Sequence, residues 1–161
     1  MPHELVGGLA VLVHVEEADP EHSVLTRDVD LMIQRSDLDR VKELASQNGM
    51  HFRHTAGLDM LLPSEATRAR HAVHLIFTGE RVRPNQIEPN PAIRPERKTI
   101  LDAQVLVIPV ADLVRMKLSA NRDKDRVHIR SLDAAGLITP EVENALLPEI
   151  QARLRHIRST E

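Results

Sequence analysis

The 161-residue chain is long enough for one domain with a sizeable core and too short for two ordinary ones. Apolar residues make up 42% and charged residues 28%, which excludes a disordered chain, and the formal net charge of −3 argues against a broadly basic surface that coats nucleic acid. Cysteine is absent, so disulfides, thiolate metal sites and a cysteine nucleophile are excluded, in keeping with a reducing, cytoplasmic setting. Two phenylalanines, with no tryptophan or tyrosine, leave no aromatic platform for stacking bases. The longest apolar run, Leu5 to Val13, falls short of the roughly 18–20 residues of a membrane span. It is interrupted by two glycines and no basic region precedes it, so neither a membrane segment nor a signal peptide is expected.

Taken in chain order, Glu4-Leu5-Val6 followed by Gly7-Gly8 predicts a short strand entering a tight turn, with a buried helix over Leu9 to His14. The acidic stretch Glu16 to Glu21 reads as a loop. In Thr26 to Ile33 the side chains alternate as a strand requires, with Asp28 and Asp30 on one face and Val29 and Leu31 on the other. Ser36 to Asn48 predicts a helix capped by Ser36, with a stripe of Leu38, Val41, Leu44 and Ala45 and a left-handed stop at Gly49.

Strands are expected at His51–Thr55, Leu58–Leu62 and Ala72–Phe77. Residues 78–103 carry four prolines and few apolar side chains and predict a long loop or arm, followed by a strand over Gln104–Ile108. Helices are expected over Val110–Ala120 and Asp123–Ala135. A capped start at Thr139-Pro140 opens a last stretch that Pro148 divides into two short helices. No internal repeat is present. The order of elements predicts an α+β or α/β domain: a mixed-sheet core over residues 1–108 and a helical part of the same domain over 109–161.

Asp28 and Asp30 are the strongest local feature. Alternate residues on a strand stand about 6–7 Å apart, and two carboxylates so placed repel unless a cation lies between them. Magnesium takes one or two carboxylates together with substrate phosphates, so the pair fits a centre for phosphoryl or nucleotidyl transfer. A solvated strand face is the competing reading. Gly7-Gly8 before a helix would let a backbone approach a phosphate, or mark a plain turn.

Lys117 lies on the apolar stripe of its helix with Val110, Leu113 and Val114, where an unpaired charge is costly. Its partner is either a nucleotide triphosphate or Asp125 on the next helix. Arg122, Lys124 and Arg126 cluster at the turn between these helices, where Arg122 could reach a phosphate. Of nine histidines, none forms a zinc-type pair on a helix, and His74 stands out in the middle of a strand.

Leu5-Val6-Gly7-Gly8-Leu9-Ala10, then Thr26-Arg27-Asp28-Val29-Asp30-Leu31, then Val110–Leu118 and Arg122-Asp123-Lys124-Asp125, taken in this order, resemble the nucleotidyltransferase superfamily with the DNA polymerase beta fold. Small bacterial members, including the nucleotidyltransferases of abortive-infection (type IV toxin–antitoxin) systems, are the look-alikes. The resemblance implies a mixed sheet flanked by helices. It also implies a triphosphate held at Gly7, Gly8, Lys117 and Arg122, and Mg2+ (or Mn2+) on Asp28 and Asp30. The acceptor would be a hydroxyl of RNA, protein or a small molecule, and the partner a cognate antitoxin or a second copy of the chain.

The sequence departs from that pattern in four places. Glu16 to Glu21 lengthens the spacer after the glycines. His74 stands where the family carries a third carboxylate, and His128 stands where the helical motif carries an aspartate. Only a few residues of this sequence precede the glycines, where relatives usually bring a helix first. Imidazole is a poor magnesium ligand and a better one for manganese, zinc or nickel. His74 could act as a base, with Glu80 or Asp59 supplying the carboxylate, or it could mark a member that binds nucleotide without catalysis and serves as a binding or regulatory module.

Overall fold

Strand β1 (His3–Val6) passes directly into helix α1 (Gly7–Ala18), with no residue between them. Gly7 makes this possible by taking φ +71°, a conformation open to glycine at little cost. The computed structural model describes residues 1–64 and 72–160. Beyond α1 come β2 (Val29–Ile33), α2 (Leu38–Gln47), the hairpin β3 (Met50–Thr55) and β4 (Leu58–Pro63), and β5 (Val73–Phe77). They are followed by β6 (Glu96–Ile100), β7 (Ala103–Val107), α3 (Val110–Ala120), α4 (Asp123–Ala134), α5 (Pro140–Asn144) and α6 (Pro148–Ser159).

The seven strands form one mixed sheet in the order β3-β4-β5-β2-β1-β7-β6. The pairs β2–β5 and β1–β7 are parallel, and the other neighbours are antiparallel. Helices α1, α3, α4 and α6 pack together around Val11, Leu113, Leu118, Ile129, Leu132 and Leu154. Helix α2 covers a smaller cluster on the other face, where Val41 and Ala45 meet Ile33, Leu61, Leu75 and Phe77. This is the mixed α/β architecture that the order of elements predicts. Among the described residues, no helix is long and apolar enough to cross a membrane.

Four local expectations are corrected. Helix α1 continues through Glu16 and Glu17 to Ala18, so half of the acidic stretch is helical. Carboxylates near a helix C-terminus are unfavourable, and Lys98 of β6 compensates by donating to Glu17 at 2.6 Å. Ser36 does not cap α2. It lies in a short 3-10 turn, Arg35–Asp37, and no side-chain cap bond is made there. The strand over 26–33 begins only at Val29, which leaves Asp28 just outside it.

The fourth correction is β6, which lies inside the segment read as a loop. It is an edge strand of charged residues, paired to β7 through a turn whose central residues, Leu101 and Asp102, take φ of +45° and +65°. Charged edge strands lack the apolar alternation by which strands are recognised. The rest of the long segment is strapped to the sheet. Asn90 donates to the Phe77 carbonyl at 2.9 Å, Gln86 donates to Asn90 Oδ1 at 3.0 Å, and the Arg94 N–H donates to Glu4 Oε2 at 3.2 Å.

Candidate functional site

The corner between β1 and α1 is shaped by what lies against its two glycines. A Cβ on Gly7 would stand 1.9 Å from Asp30 Oδ2. A Cβ on Gly8 would stand 3.0 Å from Thr26 Oγ1 and 3.1 Å from His128 Cε1. The glycine pair thus admits a carboxylate on one side and an imidazole on the other. Asp30 is placed by β2, opposite Val6 on β1 and opposite His74 on β5. Directly opposed residues share a face of the sheet, and His74 Nδ1 lies 3.1 Å from Asp30 Oδ1.

Lys117 follows Leu113 by one helical turn and is carried inward with it, and both are buried. Its ammonium donates to Asp125 Oδ1 at 3.1 Å and to His128 Nδ1 at 3.0 Å. Asp125 also receives the Arg122 side chain at 2.7 Å and the Arg122 N–H at 3.1 Å, which fixes the first turn of α4. Of the two partners weighed for Lys117, the structure shows the aspartate. Burial pushes the Lys117 pKa down, although the Asp125 charge opposes the shift. Burial would raise Asp125, but the hydrogen bonds from Arg122 and the charge of Lys117 outweigh it and hold the carboxyl below its usual range. His128, buried and beside the Lys117 charge, has its pKa lowered to about 4, so its Nδ1 is free to accept from the ammonium.

These groups line a cleft of about 580 Å³. Gly7, Asp30, His74, Lys117 and Arg122 converge on it. Gly8 packs beside it against His128, and Asp28 is exposed at the entrance to β2 and does not line it. The lining holds six cationic side chains against four carboxylates, on a chain whose own net charge is negative. Such a concentration of positive charge in a recess draws anionic ligands.

Three of the four carboxylates are fully engaged. Asp125 is held as described. Both oxygens of Glu80 receive the Arg35 guanidinium, at 2.9 and 2.7 Å. Asp59 is shared between Arg35 at 3.3 Å and His54 at 2.5 Å. Glu80 and Asp59, considered from the sequence as substitutes for a third carboxylate, are therefore locked into ion pairs. The hydrogen bonds from Arg35 hold the Glu80 pKa below its usual value. Only Asp30 keeps an oxygen, Oδ2, with no partner among the described residues. No group of three or more histidine, aspartate or glutamate side chains that could hold a metal ion forms among those residues.

Sequence reasoning missed Arg35, which stacks 3.5 Å over the Phe77 ring and lines the cleft. It also missed Arg83, carried to the cleft by the strapped loop and without a carboxylate partner among the described residues. Arginines in turns and loops carry no periodic signal. The buried amides Gln86 and Asn90, within a proline-rich stretch, were the available hint that the loop is fixed.

No protein-family model matches the sequence, and no curated protein matches it. Solved structures do match. One is the antibiotic-resistance factor ANT(2'')-Ia, at 12% identity and a TM-score of 0.58, covering 99% of this chain and 83% of that one. Another is an antigenic nucleotidyltransferase-like protein from Paracoccidioides brasiliensis, at 14% identity and a TM-score of 0.54, covering 99% and 80%. At these identities the likeness is one of fold: the chain has a nucleotidyltransferase-like fold.

Proposed function

We propose that the cleft binds a nucleoside triphosphate together with a divalent cation and transfers its nucleotidyl group to a hydroxyl acceptor. The observation that carries this reading is Asp30 Oδ2, the one oxygen of the cleft's carboxylates without a partner among the described residues, at the glycine corner of a lining with excess positive charge. The cradle at Gly7 fits a carboxylate held for a cation, because a side chain there would displace it. Magnesium takes few protein ligands and completes its shell with phosphates and water. Asp30 would hold the ion, and Asp28, exposed just outside the cleft, would contribute only by turning toward it. The cation supplies charge neutralisation and alignment of the α-phosphate.

Arg122, Lys124 and Arg83 receive the phosphate oxygens at the cleft, and the buried pair Lys117–Asp125 fixes the backbone that presents Arg122. In the transfer, the acceptor oxygen bonds to the α-phosphorus, the bond from that phosphorus to the bridging oxygen breaks, and pyrophosphate leaves. The acceptor proton passes to water. The sequence resemblance to abortive-infection nucleotidyltransferases extends the proposal to an acceptor on RNA, protein or a small molecule, and to a cognate antitoxin or a second copy as partner.

A second reading, nucleotide binding without transfer, is favoured by one observation: an imidazole, His74, lies against Asp30. Two measurements separate the readings. Calorimetry with ATP, CTP, GTP and UTP in the presence of magnesium or manganese shows binding of at least one under both readings, and binding of none defeats both. Transfer of label from an α-labelled nucleotide supports the first reading if Asp30→Asn lowers it at least about 100-fold. Asp28→Asn is expected to lower it less, because Asp28 stands outside the cleft. Binding with no transfer in the unaltered chain leaves the second reading.

A further inference from the structure

Asp30 and His74 face each other on β2 and β5, two adjacent strands that are both flanked on each side by further strands, so their spacing is fixed by backbone pairing. The gap between Asp30 Oδ1 and His74 Nδ1 is 3.1 Å. Two cis ligands of an octahedral ion with bonds of about 2.1–2.2 Å stand about 3 Å apart. The two side chains are hydrogen-bonded at this distance, and the same distance matches one edge of a coordination octahedron, so ligation needs no movement of either strand. Both side chains are partly shielded yet reach the cleft, at 16% and 25% exposure for Asp30 and His74.

We infer that Asp30 and His74 form a mixed oxygen–nitrogen ligand pair that makes this cleft prefer manganese to magnesium. The inference rests on the nucleotide reading above and names the cation it uses. Magnesium is a hard ion that favours oxygen and sheds water reluctantly, so an imidazole in its shell is a loss. Manganese accepts imidazole nitrogen alongside carboxylate, phosphate and water in the same octahedral geometry. Zinc is disfavoured by the shortage of further nitrogen or sulfur ligands, since its sites are tetrahedral and built from three or four protein groups.

Among the described residues, Asp59 of the cleft also meets a histidine, His54, but the Arg35 guanidinium occupies its second oxygen and repels a cation there. Ligation uses the lone pair of His74 Nδ1, with the ring proton on Nε2.

The test is competitive binding of manganese and magnesium in the presence of a non-hydrolysable ATP analogue, read by electron paramagnetic resonance of the bound manganese. The unaltered chain is expected to show nuclear coupling from an imidazole nitrogen, which disappears in His74→Gln and persists in His54→Gln. The ratio of manganese to magnesium affinity is expected to fall about tenfold or more in His74→Asp, which restores an oxygen ligand. Bound manganese without nitrogen coupling in the unaltered chain, which involves no variant, overturns the inference. So does an affinity ratio unchanged in His74→Asp. Both of those results leave nucleotide binding standing, whereas failure of the analogue to bind with either metal removes the nucleotide reading and the inference with it.

Discussion

Gly7 and the buried lysine show how single residues set this site. Gly7 combines a left-handed φ of +71° with the near contact to Asp30 Oδ2, so any side chain is penalised both by its own backbone and by the carboxylate. Gly7→Ala is expected to cost about 1–3 kcal/mol from strain alone. It should also weaken nucleotide binding by displacing Asp30, and urea denaturation and calorimetry measure the two effects. Lys117 and Asp125 are not equivalent partners. Lys117→Met leaves Asp125 held by Arg122, whereas Asp125→Ala leaves a buried ammonium whose remaining contact is neutral His128. Asp125→Ala is expected to destabilise by about 3–5 kcal/mol, clearly more than Lys117→Met, as read from urea midpoints. The sequence showed Lys117 inside its apolar stripe. It could not show that the lysine meets an aspartate and a histidine together, because that depends on how α3 and α4 are packed.

At the scale of elements, β6 is an instance where composition misleads. Glu96-Arg97-Lys98-Thr99-Ile100 reads as solvated chain, yet it completes the sheet and ties α1 through Lys98 and Glu17. The price of the hairpin lies in its turn, since Leu101, 96% exposed, and Asp102 both adopt positive φ. Replacing the two with Asn-Gly suits such a turn. The double substitution is expected to stabilise the chain by about 1–2 kcal/mol, because left-handed backbone costs roughly that much in ordinary residues. A raised urea midpoint with an unchanged slope would bear this out, and a lowered midpoint would contradict it. The helices, by contrast, were legible from their stripes, their proline starts and their glycine ends. Thr139 caps α5 through Val142 N–H, and Gly49 and Gly136 both take the left-handed stop.

Across the whole molecule, two buried groups give the stability opposite responses to pH. Glu4, in the centre of the sheet, has its pKa raised to about 7, chiefly by burial and further by the Asp112 charge. A carboxyl raised from 4.5 contributes stability that is complete below about pH 4.5 and is lost as pH rises through 7. His128, lowered from 6.5 to about 4, contributes stability that is complete above pH 6.5 and is lost as pH falls through 4. Between about pH 4.5 and 6.5 the two slopes oppose each other, and the chain is expected to show a flat profile. Glu4→Gln exposes the histidine, so stability then rises with pH across that window. His128→Gln keeps an acceptor for Lys117 and exposes the glutamate, so stability then falls. Each change amounts to roughly 2–3 kcal/mol, measurable by urea denaturation in steps of pH. Equal slopes in the two variants would refute the assignment.

The sequence alone determined the class of fold and most of the elements, because periodicity, caps and glycine stops are local and are written along the chain. It also placed Asp30, His74 and Lys117 at positions where polar groups need a reason. Only the tertiary structure decided their partners. Strand register set His74 against Asp30 and left Asp28 outside β2, while helix packing gave Lys117 to Asp125 and His128. Pairing across a sheet and between helices joins residues far apart in the chain, so no local pattern encodes which carboxylate oxygen remains free.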